Sequence, residues 1–174
     1  MIDNYNLTFK GRKFWMNFEL PLDIKGGPFR EIVTRPKTES LSICLKEEAS
    51  QMEKGAANIF LPIQDFSVPK PSEEDKVKAT VLEALQSALK GKTVYAGCMG
   101  GTGRTGLLFA LMAKAAGHRD VVKYVRANYR PHAVETRDQE RYVQDMNLIY
   151  EFNRLNNEAF SIWVKKKLRS FIGR

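Results

Sequence analysis

The sequence contains few of the residues that build disulfide frameworks and metal sites. Of its 174 residues, two are cysteine, Cys44 and Cys98, and two are histidine, His118 and His132. Two cysteines are too few for a disulfide framework, and in a reducing compartment they are expected to be free thiols. Because the two histidines have no third ligand at a metal-like spacing, we expect no metal site.

Long apolar runs and acidic residues are also scarce. No apolar run approaches the roughly 18–20 residues that a membrane-spanning helix requires. The opening stretch, MIDNYNLTFK, lacks the charged and then apolar pattern of a signal peptide. We therefore expect a cytoplasmic protein without a transmembrane segment. Lys and Arg number 28 against 20 Asp and Glu, a net charge of +8, which favours anionic partners such as phosphate esters, nucleic acid or acidic lipids.

The hydrophobic pattern predicts an α/β fold in one domain over residues 1–174. Hydrophobic residues make up 43% of the sequence, enough for a sizeable core. Residues 7–20 alternate with a period of two and predict a β-hairpin, with Lys10-Gly11-Arg12 as its turn. Further on, strand patterns alternate with helical ones, which is typical of an α/β fold. Strands are predicted at 40–45, 58–63 and 92–96, and helices at 73–90, 104–116, 121–129 and from 136 past 150.

The C-terminal residues 158–174 predict a separate basic amphipathic helix. Phe160, Val164, Leu168 and Phe171 recur at helical spacing, in a segment with five basic residues and one acidic residue. Such a helix can pack its apolar face on the rest of the protein or lie on an anionic membrane surface. We expect the packed arrangement.

The stretch VYAGCMGGTGRTG, residues 94–106, holds five glycines among thirteen residues. A nucleotide-binding P-loop would need G-x-x-x-x-G-K-[ST], but two leucines follow Gly106. Gly101, Gly103 and Gly106 satisfy the dinucleotide fingerprint G-x-G-x-x-G. The residues after them read as helices, however, so the acidic residue that should end a following strand is missing.

A third interpretation takes Cys98 and Arg104 together, as a C-x5-R pattern followed by Thr105. Glycines let successive backbone N–H groups turn inward, a helix N-terminus follows, and an arginine can bind two oxygens of a phosphoryl group. The field of these groups favours the thiolate of Cys98, which is then placed for in-line attack to form a phosphocysteine. Thr105 would donate its hydroxyl to the sulfur. The predicted phosphate-binding loop consists of Met99, Gly100, Gly101, Thr102, Gly103 and Arg104.

The segment CMGGTGRTG resembles the C-x5-R-[ST] signature of the cysteine-dependent protein phosphatases. The resemblance covers roughly residues 38–150, and the chain is closest in size to the dual-specificity type. It implies a tyrosine phosphatase-like fold with a mixed, mainly parallel central sheet flanked by helices. It also implies a hydrolase that needs no metal or organic cofactor. The implied substrates are proteins that carry phosphotyrosine, phosphoserine or phosphothreonine.

The family further implies a general acid on an upstream loop. The segment QDFSVP resembles that loop, which makes Asp65 the acid that protonates the leaving oxygen. Without the resemblance, Asp65 reads as a turn residue. Asp75 is an alternative donor in the first turn of a predicted helix.

A glutamine that orients the hydrolytic water is also implied. The segment HAVETRDQERYV resembles the part of the family that carries it, which assigns the role to Gln139. Thr136 and Gln139 also form a T-x-x-Q capping box, in which the glutamine bonds back to the start of its own helix. Both interpretations stand.

Gly97 and Cys44 raise two further questions. The family usually has a histidine directly before the cysteine, where this chain has Gly97. Cys44 either resolves an oxidised Cys98 or is a small core residue, and we expect the latter.

Two other functions also fit the glycine-rich loop. One is a phosphate-binding module that docks phosphorylated partners without turnover. The other is the same chemistry on a phosphoinositide or an RNA 5′ phosphate end. No RNA-binding motif supports nucleic acid as a partner, and the sequence predicts no oligomeric state.

Overall fold

The computed structural model describes residues 1–34 and 38–172, and a single mixed β-sheet lies at its centre. The strands are β1 (Asp3–Lys13), β2 (Met16–Pro28), β3 (Ser40–Lys46), β4 (Ile59–Ile63) and β5 (Thr93–Cys98). Their order across the sheet is β1-β2-β5-β3-β4. β1 and β2 pair antiparallel, whereas β2, β5, β3 and β4 pair parallel. The predicted mixed, mainly parallel sheet with an N-terminal hairpin is confirmed.

Helices lie on both faces of this sheet. They are α1 (Phe29–Ile32), α2 (Gln51–Ala56), α3 (Glu74–Leu89), α4 (Gly103–Ala115), α5 (Val121–Asn128), α6 (Arg137–Asp145) and α7 (Ile149–Ile172). The main core packs α3, α4 and α7 against one face, and a smaller cluster with Phe29 and Ile32 of α1 covers the other. Since parallel strands end at the same edge of a sheet, the segments that follow β2, β3, β4 and β5 meet there.

The hairpin turn differs from its prediction. Lys13 pairs with Met16, so the turn is Phe14-Trp15, and Phe14 has a positive φ of 56°. The predicted turn at Lys10-Gly11-Arg12 is wrong because these residues continue β1. The ring of Phe18, opposite Gly11, fills the space that a Cβ on the glycine would need. This glycine therefore serves side-chain packing across the strands.

The C-terminal helices are also divided differently. The helix predicted from 136 past 150 ends at Asp145, and the chain is extended at Met146. The side chain of Asn147 then accepts the N–H of Ile149 at 3.1 Å, at the start of α7. Residues 158–172 are the second half of α7, and Gly173 and Arg174 lie outside the described residues.

The packing of α7 changes along its length. Phe160 and Trp163 pack against Phe18, with ring centroids 5.6 and 5.7 Å apart, as the packed arrangement requires. Residues 165–172 are exposed, so Leu168 and Phe171 do not pack as expected. Within residues 1–34 and 38–172, no helix is both long and apolar enough to cross a bilayer.

Candidate active site

The Cys98 sulfur lies inside the loop that connects β5 to α4. The residue is 3% exposed, at the carboxyl end of β5. Its Sγ accepts the backbone N–H of Gly101 at 3.2 Å and the hydroxyl of Thr105, in the first turn of α4, at 3.3 Å. Both donors stabilise negative charge on the sulfur, as does the helix N-terminus behind them.

The loop backbone requires a glycine where it crosses the end of β2. Gly101 has a φ of +77°, and a Cβ there would lie 2.5 Å from the Cα of Gly27. The Tyr129 hydroxyl donates to the carbonyl of Gly101, and Arg130 donates to the carbonyl of Gly100 at 2.7 Å. These bonds hold the two carbonyls on the outer side of the loop, while the N–H of Gly101 points at the sulfur.

Arg104 is almost completely buried, at 1% exposure, and its guanidinium is held from one side. Its Nη1 donates to Glu48 at 2.8 Å and to the carbonyl of Ile63 at 3.0 Å, and its Nη2 donates to Glu48 at 2.9 Å. Burial opposes the charge of Arg104. The hydrogen bond that Arg104 donates to Glu48 and the nearby Cys98 sulfur outweigh it, and the pKa of Arg104 is raised.

The Nε of Arg104 has no hydrogen-bonding partner within the part of the chain that the structure describes. A buried donor without an acceptor costs free energy, so native proteins keep few of them. An anion seated between this N–H and the Cys98 sulfur would supply the missing acceptor. Arg104 and Cys98 lie near enough to interact electrostatically, so the structure brings together the two residues of the C-x5-R pattern.

Glu48 was not among the residues predicted from the sequence. It follows β3 at the edge where the parallel strands end, next to β5, the strand that carries Cys98. The hydrogen bond from Arg104 lowers the pKa of Glu48. A buried ion pair between Lys46 and Glu53, 2.7 Å apart, joins the end of β3 to α2 and fixes the turn that carries Glu48. An acidic residue just past a strand at this edge is the signal that could have identified it.

Asp65 lies in the loop after β4 and faces Arg104. Its Oδ1 is 3.1 Å from the Nη2 of Arg104, and its side chain is 56% exposed. The same oxygen accepts the N–H of Phe66, which has a positive φ of 55°. The carboxyl group therefore reaches Arg104, at the end of the glycine-rich loop, while staying accessible to solvent. The alternative donor, Asp75, lies in the first turn of α3.

Gln139 connects the Asp65 loop to α6. Its Oε1 accepts the N–H of Glu135 at 2.8 Å, and its backbone N–H bonds to the Thr136 hydroxyl at 3.1 Å. The predicted capping box is present. The Nε2 of Gln139 donates to the carbonyl of Ser67 at 3.0 Å, two residues after Asp65. This buried side chain thus joins a helix cap to the loop that carries the carboxyl group.

No family model matches the chain. It is 34% identical over 85 residues to the uncharacterized protein MJ0215 of Methanocaldococcus jannaschii, a match that covers 49% of this chain and 52% of that protein. It is 32% identical over 87 residues to the uncharacterized protein MJECL20 of the same organism, covering 50% and 57%. The chain spans about half the length of these two relatives.

Solved structures give a longer match. Tk-PTP in its active form has a TM-score of 0.51 and 22% identity, covering 71% of this chain and 88% of that one. The chain has the tyrosine phosphatase fold. Kinase associated phosphatase, with its catalytic-site cysteine replaced by serine, gives a TM-score of 0.51 at 16% identity, covering 67% and 72%.

Cys44 lies on the opposite face of this phosphatase-like sheet from Cys98. It pairs with Gly97, the neighbour of Cys98, and successive side chains of a strand point to opposite faces. It packs in the small cluster with Phe29 and Ile32. Burial raises the pKa of Cys44 to about 11. Its position is that of a small core residue, which excludes direct disulfide formation with Cys98 unless the sheet rearranges.

Gly97 stands where the phosphatases whose signature the motif resembles usually have histidine, and the fold leaves no room for a side chain there. A Cβ on Gly97 would lie 2.6 Å from the carbonyl oxygen of Gly27, 2.8 Å from Ile32 and 2.9 Å from the Cα of Phe29. Two of these three atoms belong to the backbone and cannot turn aside. α1 thus occupies the space that a histidine would need.

Gly97→His is therefore expected to destabilise the protein without raising any activity. Overpacking against backbone should cost about 3 kcal/mol, or roughly 6–12 °C in melting temperature for a chain of this size. Gly55→His is the matched control, because a Cβ at Gly55 meets nothing within 4 Å. Thermal unfolding of both variants tests this, and a Gly97→His variant that melts with the wild type would contradict it.

The described residues contain no group of three or more His, Cys, Asp or Glu that could hold a metal ion. The groups gathered at the site are a thiol, a hydroxyl, a guanidinium, two carboxylates and backbone N–H groups. Such a set can bind an oxyanion, attack it with sulfur and move one proton.

Proposed function

We propose that the protein hydrolyses phosphomonoesters through a phosphocysteine intermediate. The observation that carries this proposal is the unpartnered, buried Nε of Arg104, in a guanidinium close enough to the Cys98 sulfur to interact with it electrostatically. A phosphoryl group at this position would accept that N–H and present its phosphorus to the thiolate. Backbone N–H groups of the loop from Met99 to Gly103 would hold its remaining oxygens. Donors placed in advance around developing charge are the main source of rate acceleration in such sites.

The first chemical step transfers the phosphoryl group to sulfur. The thiolate of Cys98 forms the S–P bond as the P–O bond to the leaving group breaks. Asp65 gives its proton to the leaving oxygen, because an alkoxide or phenoxide leaves poorly without one. The guanidinium of Arg104 stays hydrogen-bonded to the phosphoryl oxygens during the transfer, and Glu48 keeps the guanidinium oriented.

The second step releases inorganic phosphate. Water attacks the phosphocysteine, the S–P bond breaks, and Asp65 takes the proton of the water. The hydroxyl of Thr105, 3.3 Å from Sγ, stabilises the departing thiolate. Gln139 positions the Asp65 loop through its hydrogen bond to Ser67. Its role in orienting the hydrolytic water stays a prediction, in which the second N–H of its amide would donate to that water.

Phosphorylated proteins, with phosphotyrosine first, are the proposed substrates. Met99 follows the nucleophile and Phe66 follows the acid, and both side chains are exposed. Apolar groups at these two positions favour contact with an aromatic ring. Two free cysteines, one of them the proposed nucleophile, fit the cytoplasmic location expected from the sequence. No observation at the site favours a phosphoinositide or an RNA end.

Trapping the intermediate tests the chemistry directly. Wild-type protein is mixed with p-nitrophenyl phosphate in the presence of EDTA and quenched with acid within the first turnovers. Mass spectrometry of the tryptic peptide 93–104, which contains Cys98 and no other cysteine, is expected to show one added phosphoryl group. Phosphate binding with no turnover and no labelled peptide would identify a binding module and overturn the proposal.

A further inference from the structure

An apolar surface lies exposed at the end of the sheet that faces away from Cys98. Trp15, at the hairpin turn, is 86% exposed, and Phe171, near the end of α7, is 77% exposed. The hairpin–α7 surface, as we call it, consists of Phe14, Trp15, Leu168, Phe171 and Ile172, all exposed. Large apolar side chains that cluster on a surface mark sites of interaction with a partner or a membrane.

The hairpin packs against the middle of α7, at Phe160. Phe160 packs against both Phe14 and Phe18, with ring centroids 6.5 and 5.6 Å apart. From Phe160, the helical spacing carries the apolar face through Leu168 to Phe171. The far end of this face belongs to residues 165–172, which are exposed on all sides of the helix.

Positive charge surrounds the apolar face. Lys165, Lys166, Lys167 and Arg169 lie on α7, and no acidic residue occurs between 159 and 172. The Nζ of Lys167 lies over the ring of Trp163, 5.8 Å from its centroid. Apolar and basic groups interleaved in this way match a partner that is apolar inside and anionic at its surface.

We infer that the hairpin–α7 surface binds an anionic phospholipid bilayer, lying in the interface without crossing it. Trp15 and Phe14 would sit at headgroup level, where amphipathic and aromatic rings are favoured. Leu168, Phe171 and Ile172 would enter the acyl boundary, and the lysines would meet the anionic headgroups.

Two other occupants fit less well. Nucleic acid offers bases to stack on the aromatic rings but no apolar layer for Leu168 and Ile172. A second copy of the chain, seated symmetrically, would bring two clusters of four like charges together. An anionic bilayer offers an apolar layer for the aliphatic side chains and negative headgroups for the basic ones.

The proposed membrane surface is remote from the phosphate site. β2 runs from the hairpin turn to Gly27 beside the glycine-rich loop, and its 13 residues span roughly 40 Å at ~3.3 Å per residue. A bilayer at the hairpin would leave Cys98 facing the aqueous phase. Binding to vesicles and hydrolysis of phosphate esters are therefore separable properties.

Co-sedimentation of the 174-residue chain with vesicles tests the inference. One set of vesicles contains phosphatidylcholine alone, and the other contains two parts phosphatidylcholine to one part phosphatidylglycerol. We expect binding to the anionic set only, weakened by high salt because charge interactions are screened.

Lys165→Glu/Lys166→Glu/Lys167→Glu should weaken vesicle binding on the order of 100-fold. Trp15→Ser/Phe171→Ser should also weaken it, whereas the exposed control Lys70→Glu/Lys76→Glu/Lys123→Glu should not.

Several results would overturn the inference. They are the absence of binding to anionic vesicles, equal binding to both vesicle sets, and equal losses in the control variant. If the chain did not bind vesicles, but self-associated or bound RNA in a way that the same substitutions abolish, the surface would belong to that partner instead. Far-ultraviolet circular dichroism of each variant ensures that a loss reflects the surface and not unfolding.

Discussion

Replacing Cys98 by serine is expected to lower kcat for an aryl phosphate on the order of 10⁴ to 10⁶-fold, as loss of a nucleophile does in other enzymes. The serine hydroxyl stays protonated under conditions where a thiolate is available, and its neutral oxygen is a far weaker nucleophile. Because the loop and Arg104 remain, the variant should still bind phosphate. Initial rates with p-nitrophenyl phosphate and calorimetric titration with inorganic phosphate measure the two properties separately.

Cys44→Ala is the matched control for this experiment. It removes the other cysteine, which lies on the opposite face of the sheet and packs in the small cluster with Phe29 and Ile32. We expect it to keep wild-type kcat. If Cys98→Ser released phosphate at the wild-type rate, the phosphocysteine mechanism would be wrong. A wild-type protein that binds phosphate as tightly but never turns over would instead favour the docking module.

The parts of the site that lie close together in sequence could be predicted from it. Cys98, Arg104 and Thr105 belong to one strand–loop–helix unit, so their spacing alone places a guanidinium and a hydroxyl near the sulfur. The groups that hold this unit come from distant segments. Glu48 and the carbonyl of Ile63 reach Arg104 across the sheet, and Tyr129 and Arg130 bond to the outer side of the loop. A local sequence pattern cannot predict contacts between segments that lie far apart in the chain.

The fold could also be predicted from local sequence patterns, and the errors in that prediction share one cause. Hydrophobic periodicity is enough to locate the strands. Whether a position must be glycine, however, depends on which atoms pack against it in the fold. The sequence pattern predicts that Gly11 lies in a turn, whereas it lies in β1, where the ring of Phe18 leaves no space for a Cβ. At Gly97, α1 leaves no space for a side chain. The break between α6 and α7 depends likewise on tertiary packing of Met146 and Leu148, which are both buried.

Replacing Asp65 by asparagine should produce a loss that depends on the leaving group. Asparagine keeps the size of the side chain but cannot supply an acidic proton. For phenyl phosphate, whose phenoxide leaves poorly, we expect kcat/KM to fall about 10²- to 10⁴-fold, the range typical of general acid catalysis. For p-nitrophenyl phosphate, whose leaving group is stable as an anion, the fall should be much smaller. Steady-state kinetics with the two substrates give the ratio.

This ratio separates the two ways in which Asp65 acts at the site. Its carboxylate also lies 3.1 Å from Arg104, so Asp65→Asn removes an ion pair and can disturb phosphate binding. That disturbance affects both substrates equally, because both present the same phosphoryl group to Arg104, whereas loss of the acid affects them unequally. Asp75→Asn is the control, since Asp75 is the only other donor that the sequence suggested. If Asp75→Asn produced the leaving-group effect and Asp65→Asn did not, the proton would come from α3, and the loop after β4 would serve only to orient Arg104.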